Sequence, residues 1–144
     1  MVSSDGTPKS SHSTSEALKQ TLLTAQSIAT IPASAAGAQV LRVFEHLGIS
    51  EAMKAKTKTQ TGPAQIVEVV AQGEAELGVF LINVLTAPGL DMVGPFPAEL
   101  QQEVVFTAVV AANTKEAEAA KAFITYLTTP AATAVIQAKG MTPG

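Results

Sequence analysis

The sequence contains no cysteine and no tryptophan, and only 15% of its 144 residues are charged. Without cysteine, disulfide frameworks, Cys-ligated zinc sites, iron–sulfur clusters and thiol nucleophiles are excluded. Nine lysine and arginine residues stand against twelve acidic residues, and they form no basic cluster that could hold a phosphate backbone. We therefore expect no nucleic-acid partner.

Long apolar runs are also lacking, since none reaches the roughly 18 residues that a membrane-spanning helix requires. The first residues, MVSSDGTPKSSHSTSE, have no basic segment followed by an apolar core, so they do not have the pattern of a secretory signal peptide. What the chain does have is a hydrophobic content of 47%. That content suits one folded domain or two small lobes.

The order of sequence patterns predicts an α/β fold. Residues 1–13 are rich in Ser, Gly, Thr and Pro and predict a flexible lead-in, at whose end Ser13 and Glu16 have the spacing of a capping box. Helical and β-prone segments then alternate, which predicts a mixed, mostly parallel sheet flanked by helices. The predicted strands are 27–31, 55–60, 77–82, 90–93 and 104–112, and the better-defined later helices are 63–72, 114–127 and 130–138.

Familiar catalytic motifs are absent. The sequence contains no H-E-x-x-H, G-x-S-x-G, G-x-G-x-x-G or P-loop pattern. Of the two histidines, His12 lies in the lead-in, and His46 lies in the last turn of a predicted helix, where an imidazolium complements the helix dipole. We therefore predict a protein that is not an enzyme and that has no catalytic residues, no cofactor and no metal site.

Two strand-to-helix junctions are built from small residues, at 34–37 and at 61–64. Here backbone N–H groups and the Ser34 hydroxyl could contact a bound anion or carboxylate without obstruction by side chains. Ordinary turns made from small residues explain the same pattern equally well on spacing alone. The ligands of open α/β sheets lie at the carboxyl ends of strands, so the two junctions together suggest one wall of a cleft.

Four segments resemble the periplasmic molybdate-binding-protein-like solute receptors, which are type 2 periplasmic binding proteins of ABC transporters. They are SIATIPASAAGAQVLRVFEHLGISEAMKAKTK, GEAELGVFLINVL, PGLDMVGPFPAELQ and FTAVVAANTKEAEAAKAFITYLTTPAATAVIQAKGMTPG, and the resemblance extends from about Lys9 to the end of the chain. It implies two α/β lobes with the ligand between them, a periplasmic or extracellular location, and transfer of the solute to an ABC permease. Residues 14–101 resemble the complete second lobe. Residues 102–144 resemble the return strand and the C-terminal helices of a first lobe whose opening strands are absent.

The resemblance also implies a ligand site. Its residues would be Ser34, Ala36, Gly37, Gly62, Ala64 and Asn83. The Ala36 N–H would contact the ligand, but Pro63 and Leu81 stand where molybdate binders use an N–H and a hydroxyl. We therefore expect a small anionic or organic solute rather than molybdate. The alternative is a truncated, receptor-like scaffold or interaction domain without ligand binding.

An incomplete first lobe has a consequence for assembly. The predicted strand 104–112 and the apolar face of the helix 114–127 would lack the strands that cover them in the complete family. Apolar patches of this extent are rarely left exposed on soluble monomers. The sequence therefore predicts a homodimer through residues 102–144.

Overall fold

The computed structural model describes residues 1–4 and 13–144. The chain divides into two compact units, Met1–Val104 and Val105–Gly144, and each is described by itself. The elements of the first unit are β1 (Val2–Ser4), α1 (Ser15–Thr24), β2 (Ile28–Thr30), α2 (Ala35–His46), α3 (Ser50–Lys56), β3 (Thr57–Thr59), α4 (Pro63–Ala71), β4 (Leu77–Gly78), α5 (Ile82–Leu85) and β5 (Leu90–Met92). The second unit contains α6 (Ala117–Leu127) and α7 (Pro130–Ala138).

The strands of the first unit form one sheet in the order β3-β2-β4-β1-β5. Strand β2 is parallel to β3 and β4, whereas β1 is antiparallel to β4 and β5. The mixed sheet flanked by helices that the sequence predicts is therefore confirmed. Parallel pairs are not in the majority among the described strands, because β1 contributes two antiparallel pairs.

Two hydrophobic clusters cover the two faces of this sheet. Side chains alternate along a strand, so Ile28 of β2 packs in one cluster with Val40 and Phe44 of α2, and the neighbouring Ala29 packs in the other cluster with Ile66 of α4. Helices α2 and α4 therefore lie on opposite faces of the sheet. Both helices begin at the edge where the parallel strands end.

The start of the chain differs from the prediction of a flexible lead-in over residues 1–13. Val2–Ser4 form β1, which is largely buried and lies between β4 and β5. Three residues are too few to show the alternation by which a strand is recognised, and the surrounding Ser, Gly and Pro dominate the composition. Residues 5–12, which include His12, lie outside the described residues.

Helix α1 begins slightly later than the predicted capping box. Thr14 is the N-cap, and its hydroxyl accepts a hydrogen bond from the Ala17 N–H at 3.2 Å. From a distant part of the chain, Glu99 accepts hydrogen bonds from the hydroxyl of Ser15 at 2.6 Å and from its N–H at 3.2 Å. The bond from the Ser15 hydroxyl is the main reason why the pKa of Glu99 is lowered. These bonds connect the turn around residues 97–100 to the start of α1.

The edge strand predicted at 55–60 is shorter in the structure. Strand β3 begins at Thr57 because α3, which the sequence analysis did not predict, takes up the residues before it. At the end of α3 the ammonium group of Lys56 donates to the carbonyl oxygens of Leu23 and Ala25, the latter at 2.8 Å. Both carbonyls lie at the end of α1, where they have no N–H partner within the helix. The Lys56 side chain therefore caps the C-terminus of α1.

In the second unit, the prediction of a strand over residues 104–112 is wrong. This segment has no regular secondary structure, and Val105, Phe106 and Val109 are 80%, 69% and 80% exposed. A strand needs a neighbour to pair its N–H and C=O groups. No strand in the part of the chain that the structure describes pairs with this segment. Its apolar composition alone was therefore not sufficient to form a strand.

The two helices of the second unit pack on each other. Helix α6 begins at Ala117 rather than at residue 114, and its N-cap, Glu116, makes no side-chain cap. Helix α7 follows Thr129, whose hydroxyl accepts a hydrogen bond from the Ala132 N–H at 3.4 Å. Large side chains that remain exposed on these helices are Phe123, Tyr126 and Val135.

Candidate functional site

Three strand-to-helix junctions meet at the carboxyl edge of the parallel strands. The chain leaves β2 toward α2, β3 toward α4 and β4 toward α5. Because β2 is parallel to both of its neighbours, these three strands end at the same edge. Ser34, Ala36 and Gly37 follow β2, Gly62 and Ala64 follow β3, and Asn83 follows β4. The topology thus places all six predicted residues at one edge, and their contact with a ligand stays a prediction.

Ser34 is the N-cap of α2. Its hydroxyl accepts a hydrogen bond from the Gly37 N–H at 2.9 Å and donates one to the Ile31 carbonyl at 2.8 Å. The hydroxyl is therefore engaged within the protein, whereas the sequence analysis expected it to point toward a ligand. In this arrangement Ser34 fixes the start of the helix.

The first turn of α2 is packed tightly against the end of β2. Ala36 is only 7% exposed, and Gly37 is buried. A Cβ atom at Gly37 would lie 1.8 Å from the Ile31 carbonyl oxygen, so this position requires glycine. Ala35 and Ala36 occupy the first two positions of the helix, and their N–H groups therefore have no acceptor within it. These are the donors that α2 offers at this edge.

The start of α4 is more open. Gly62 is the N-cap, Pro63 is the first helical residue, and a Cβ atom at Gly62 would meet no atom within 4 Å. The Gln65 Oε1 atom accepts hydrogen bonds from the N–H and the hydroxyl of Thr61, both at 2.9 Å. The sequence analysis missed this contact, although a glutamine four residues after a threonine is a local signal. Since proline has no N–H, the exposed Ala64 supplies the first free donor of α4.

Asn83 lies on α5, a helix of four residues that begins after Leu81. The side chain is half-buried. A single turn has few aligned peptide dipoles, so this junction contributes less to anion binding than the starts of α2 and α4.

The electrostatics of the edge come from the backbone. Residues 30–37 and 60–66 contain no lysine or arginine. Each helix N-terminus carries a partial positive charge equivalent to roughly half an elementary charge, with N–H groups directed outward. Because α2 and α4 lie on opposite faces of the sheet, their N-termini approach this edge from opposite sides.

One polar side chain at this edge escaped the sequence analysis. Thr30 is the last residue of β2 and is fully buried, and its Oγ1 atom has no hydrogen-bond partner among the described residues. A signal was present in the sequence, because Thr30 is a polar residue in an otherwise apolar strand directly before the small-residue junction.

Comparison with known proteins identifies the family. A family model described as bacterial extracellular solute-binding protein matches residues 1–142. The chain belongs to this family of solute-binding proteins. The resemblance inferred from the sequence motifs is thereby confirmed.

Two curated relatives extend the comparison. An aconitate isomerase from Pseudomonas sp is 35% identical over 146 aligned residues, which cover 99% of this chain and 55% of the relative. The molybdate-binding protein ModA from Azotobacter vinelandii is 33% identical over 126 aligned residues, which cover 85% of this chain and 50% of the relative. This solute-binding chain thus spans about half the length of the curated relatives that it matches.

Neither a membrane-spanning helix nor a metal-binding cluster is found among the described residues of this solute-binding chain. In residues 1–4 and 13–144, no helix combines the length and the apolar character needed to cross a membrane. Over the same ranges, no three Asp, Glu or His side chains are grouped so that they could hold a metal ion. A surface groove lies between α1 and the start of α3 and is lined mainly by apolar side chains with Lys19 and Glu51, but it is not formed by any of the three junctions.

Proposed function

We propose that this chain binds a small anionic solute at the carboxyl edge of its sheet, as part of a receptor that supplies an ABC permease. One observation carries the proposal: the N-termini of α2 and α4 follow the adjacent parallel strands β2 and β3. Helix N-termini bind anions through free N–H groups and the helix dipole. Family membership supports the solute-binding role.

The donor set favours a carboxylate over a tetrahedral oxyanion. An oxyanion with four oxygen atoms needs many donors, and Pro63 and Leu81 remove two that the resemblance to molybdate binders leads us to expect. A carboxylate presents only two oxygen atoms and therefore needs fewer donors, for which the N–H groups of Ala36 and Ala64 are the candidates. The similarity to a protein named aconitate isomerase supports a di- or tricarboxylic acid of this kind.

We further propose a periplasmic or extracellular location, in agreement with the family description. Delivery to a permease would be a property of the whole receptor. This chain spans about half the length of its relatives. Recovery of the receptor from a periplasmic extract, together with loss of solute uptake when its gene is deleted, would support both proposals. Unchanged uptake in the deletion strain would contradict the transport role.

Binding rather than catalysis is the function that the site supports. The junctions offer N–H groups and the hydroxyls of Ser34 and Thr61, which are already hydrogen-bonded, and such groups hold an anion without transferring a proton. Isomerisation is the second candidate, favoured by the relative named aconitate isomerase. Proton NMR of trans-aconitate incubated with the protein separates the two, since growth of cis-aconitate signals above a protein-free control would establish isomerisation.

The experiment that tests the binding proposal is isothermal titration calorimetry of the chain with trans-aconitate, citrate and molybdate. We expect saturable binding of at least one carboxylate and at least tenfold weaker binding of molybdate, because of the missing donors. Sub-micromolar affinity for molybdate would contradict the carboxylate assignment. Absence of binding by all three compounds would favour the scaffold alternative.

A homodimer through residues 102–144 stays a prediction. The exposed side chains of Phe106, Phe123 and Tyr126 support it, since apolar surface of this kind favours burial against a partner. Edge-to-edge pairing of two copies through a strand at 104–112 is no longer expected, because that strand is not formed. Light scattering at micromolar concentrations would show a dimer that Phe123→Ser weakens, and a folded 14.8 kDa monomer would refute the prediction.

A further inference from the structure

Thr30 combines three properties that are rarely found together. It ends a central strand at the candidate ligand edge, its side chain is fully buried, and its hydroxyl has no hydrogen-bond partner among the described residues. A buried hydroxyl without a partner has lost its hydrogen bonds to water and gained none in return, which destabilises the fold. Nearly all buried polar groups in proteins have partners, so an exception points to a function or to a bound molecule.

Strand and helix geometry indicate that Thr30 lies at the level of the first turn of α2. Alternation along β2 puts Thr30 on the same face as Ile28, which packs with Val40 and Phe44 of α2. Thr30 lies two residues beyond Ile28, which is a shift of about 6.6 Å along the strand. In a helix that runs back along the strand this shift corresponds to about four residues, at 1.5 Å per residue. Thr30 therefore reaches the level of Ala36, whose N–H is one of the free donors.

We propose that the Thr30 hydroxyl is a specificity-determining donor for the solute held at the start of α2. It hydrogen-bonds the ligand carboxylate, directly or through one bridging water molecule, alongside the Ala36 N–H. This inference rests on the proposed function, to which it adds a particular side chain and a particular ligand chemistry. The hydroxyl supplies at α2 a donor that Pro63 cannot supply at α4.

A purely structural role predicts a different response to mutation. If the hydroxyl held the fold together, Thr30→Val would destabilise the protein, because a hydrogen bond would be lost. Since the Oγ1 atom has no partner within the described protein, an apolar side chain of the same shape should leave stability unchanged or raise it. Loss of affinity without loss of stability is therefore the signature of a ligand donor.

The test compares four proteins by calorimetry with trans-aconitate and citrate and by thermal unfolding. They are the wild-type chain, Thr30→Val, Thr30→Ser and Thr21→Val. Thr21 is the matched control, since it is also a buried threonine, but its hydroxyl donates to the Ala17 carbonyl at 2.9 Å within α1. Thr30→Ala replaces Thr30→Val if the valine protein does not fold.

We expect Thr30→Val to weaken carboxylate binding at least tenfold, because a hydrogen bond to a charged group is lost. The midpoint of thermal unfolding of Thr30→Val should not fall below that of the wild type. We expect Thr30→Ser to bind the carboxylate within about threefold of the wild-type affinity, and Thr21→Val within about twofold. Carboxylate binding by Thr30→Val within twofold of wild type would overturn this inference alone and leave the proposed function intact. Failure of the wild-type chain to bind either carboxylate would overturn both.

Discussion

Gly37 and Ile31 stand so close that a Cβ atom at residue 37 would lie 1.8 Å from the Ile31 carbonyl oxygen and 2.5 Å from its carbonyl carbon. The same carbonyl oxygen accepts the hydroxyl hydrogen of Ser34 at 2.8 Å. The end of β2 and the first turn of α2 are thus held together by close packing and by a hydrogen bond. Their separation determines where the free N–H groups of α2 are directed.

Gly37→Ala tests this packing. In an ordinary helix interior, replacement of glycine by alanine stabilises by roughly 0.5–1 kcal/mol. At position 37 the new methyl group overlaps backbone atoms that cannot rotate away, so we expect a loss of about 2 kcal/mol or more in the free energy of unfolding, measured by urea denaturation. Gly62→Ala is the control, since a Cβ atom there meets nothing within 4 Å. A Gly37→Ala protein as stable as wild type would contradict the described junction.

Ser34→Ala tests the cap. It removes the acceptor of the Gly37 N–H and the donor to the Ile31 carbonyl. We expect a loss of about 1 kcal/mol in the free energy of unfolding, as is usual for a lost N-cap. Ser34→Thr keeps a capping hydroxyl and should retain most of the stability. Equal losses in both variants would show that the cap is not the stabilising feature.

Ala64→Asp separates binding from folding. Ala36 is nearly buried, so bulk at that position would disturb packing as well as the ligand, whereas Ala64 is exposed. A carboxylate in the first turn of α4 favours the helix dipole and should raise stability by up to about 0.5 kcal/mol. The same negative charge should weaken binding of an anionic solute about tenfold, by like-charge repulsion.

The control for Ala64→Asp is Ala131→Asp, which has the same place after a proline in the first turn of α7. It alters the net charge equally, and Ala131 is not among the candidate site residues. Calorimetry should show wild-type affinity for Ala131→Asp. Equal weakening by both variants would indicate a general charge effect and would remove α4 from the site.

The N-terminal amine predicts a dependence of stability on pH. Burial lowers the pKa of the Met1 amine from 8.0 to about 6, and the amine donates to the Gly94 carbonyl at 2.7 Å. Between these two pH values the unfolded chain binds more protons than the folded chain, so stability is lost as the pH falls from about 8 to about 6. The loss is at most about 3 kcal/mol.

Urea denaturation at several pH values measures this effect. A chain extended at its N-terminus by Gly-Ser moves the charge away from Met1 and should show a flatter profile over the same range. Equal slopes for the two chains would show that the amine is not the group responsible.

The strand-to-helix junctions could be predicted from the sequence because the residues that form them are close together in the chain. Ser34 caps the helix that follows it, and Gly62 with Pro63 begins α4, as the residue types predict. The six candidate residues could be assigned to one edge because parallel strands share an edge. Whether the Ser34 hydroxyl was free could not be predicted, because its partner, the Ile31 carbonyl, depends on the conformation of the turn.

Other features depend on contacts between distant residues. Strand β1 is a strand because β4 and β5 provide partners on both sides, and residues 104–112 remain irregular because the described chain provides none. The lack of a partner for the Thr30 hydroxyl is likewise a property of the packed structure. Composition and periodicity contain no information about such partners.

The position of β1 also affects how the protein can reach its folded state. Val2 pairs with Gly78 on one side and with Met92 on the other, so β1 completes its ladder only after residue 92 has been synthesised. The contacts among α1 to α4, β2 and β3 join residues that are closer in the sequence, such as Ile28 and Thr57, and can form earlier. Contacts of long sequence separation slow folding, and during synthesis the short β1 segment stays unpaired until both of its partner strands have been made. Insertion of β1 between β4 and β5 is therefore expected to be the late, rate-limiting step that joins β5 to the sheet.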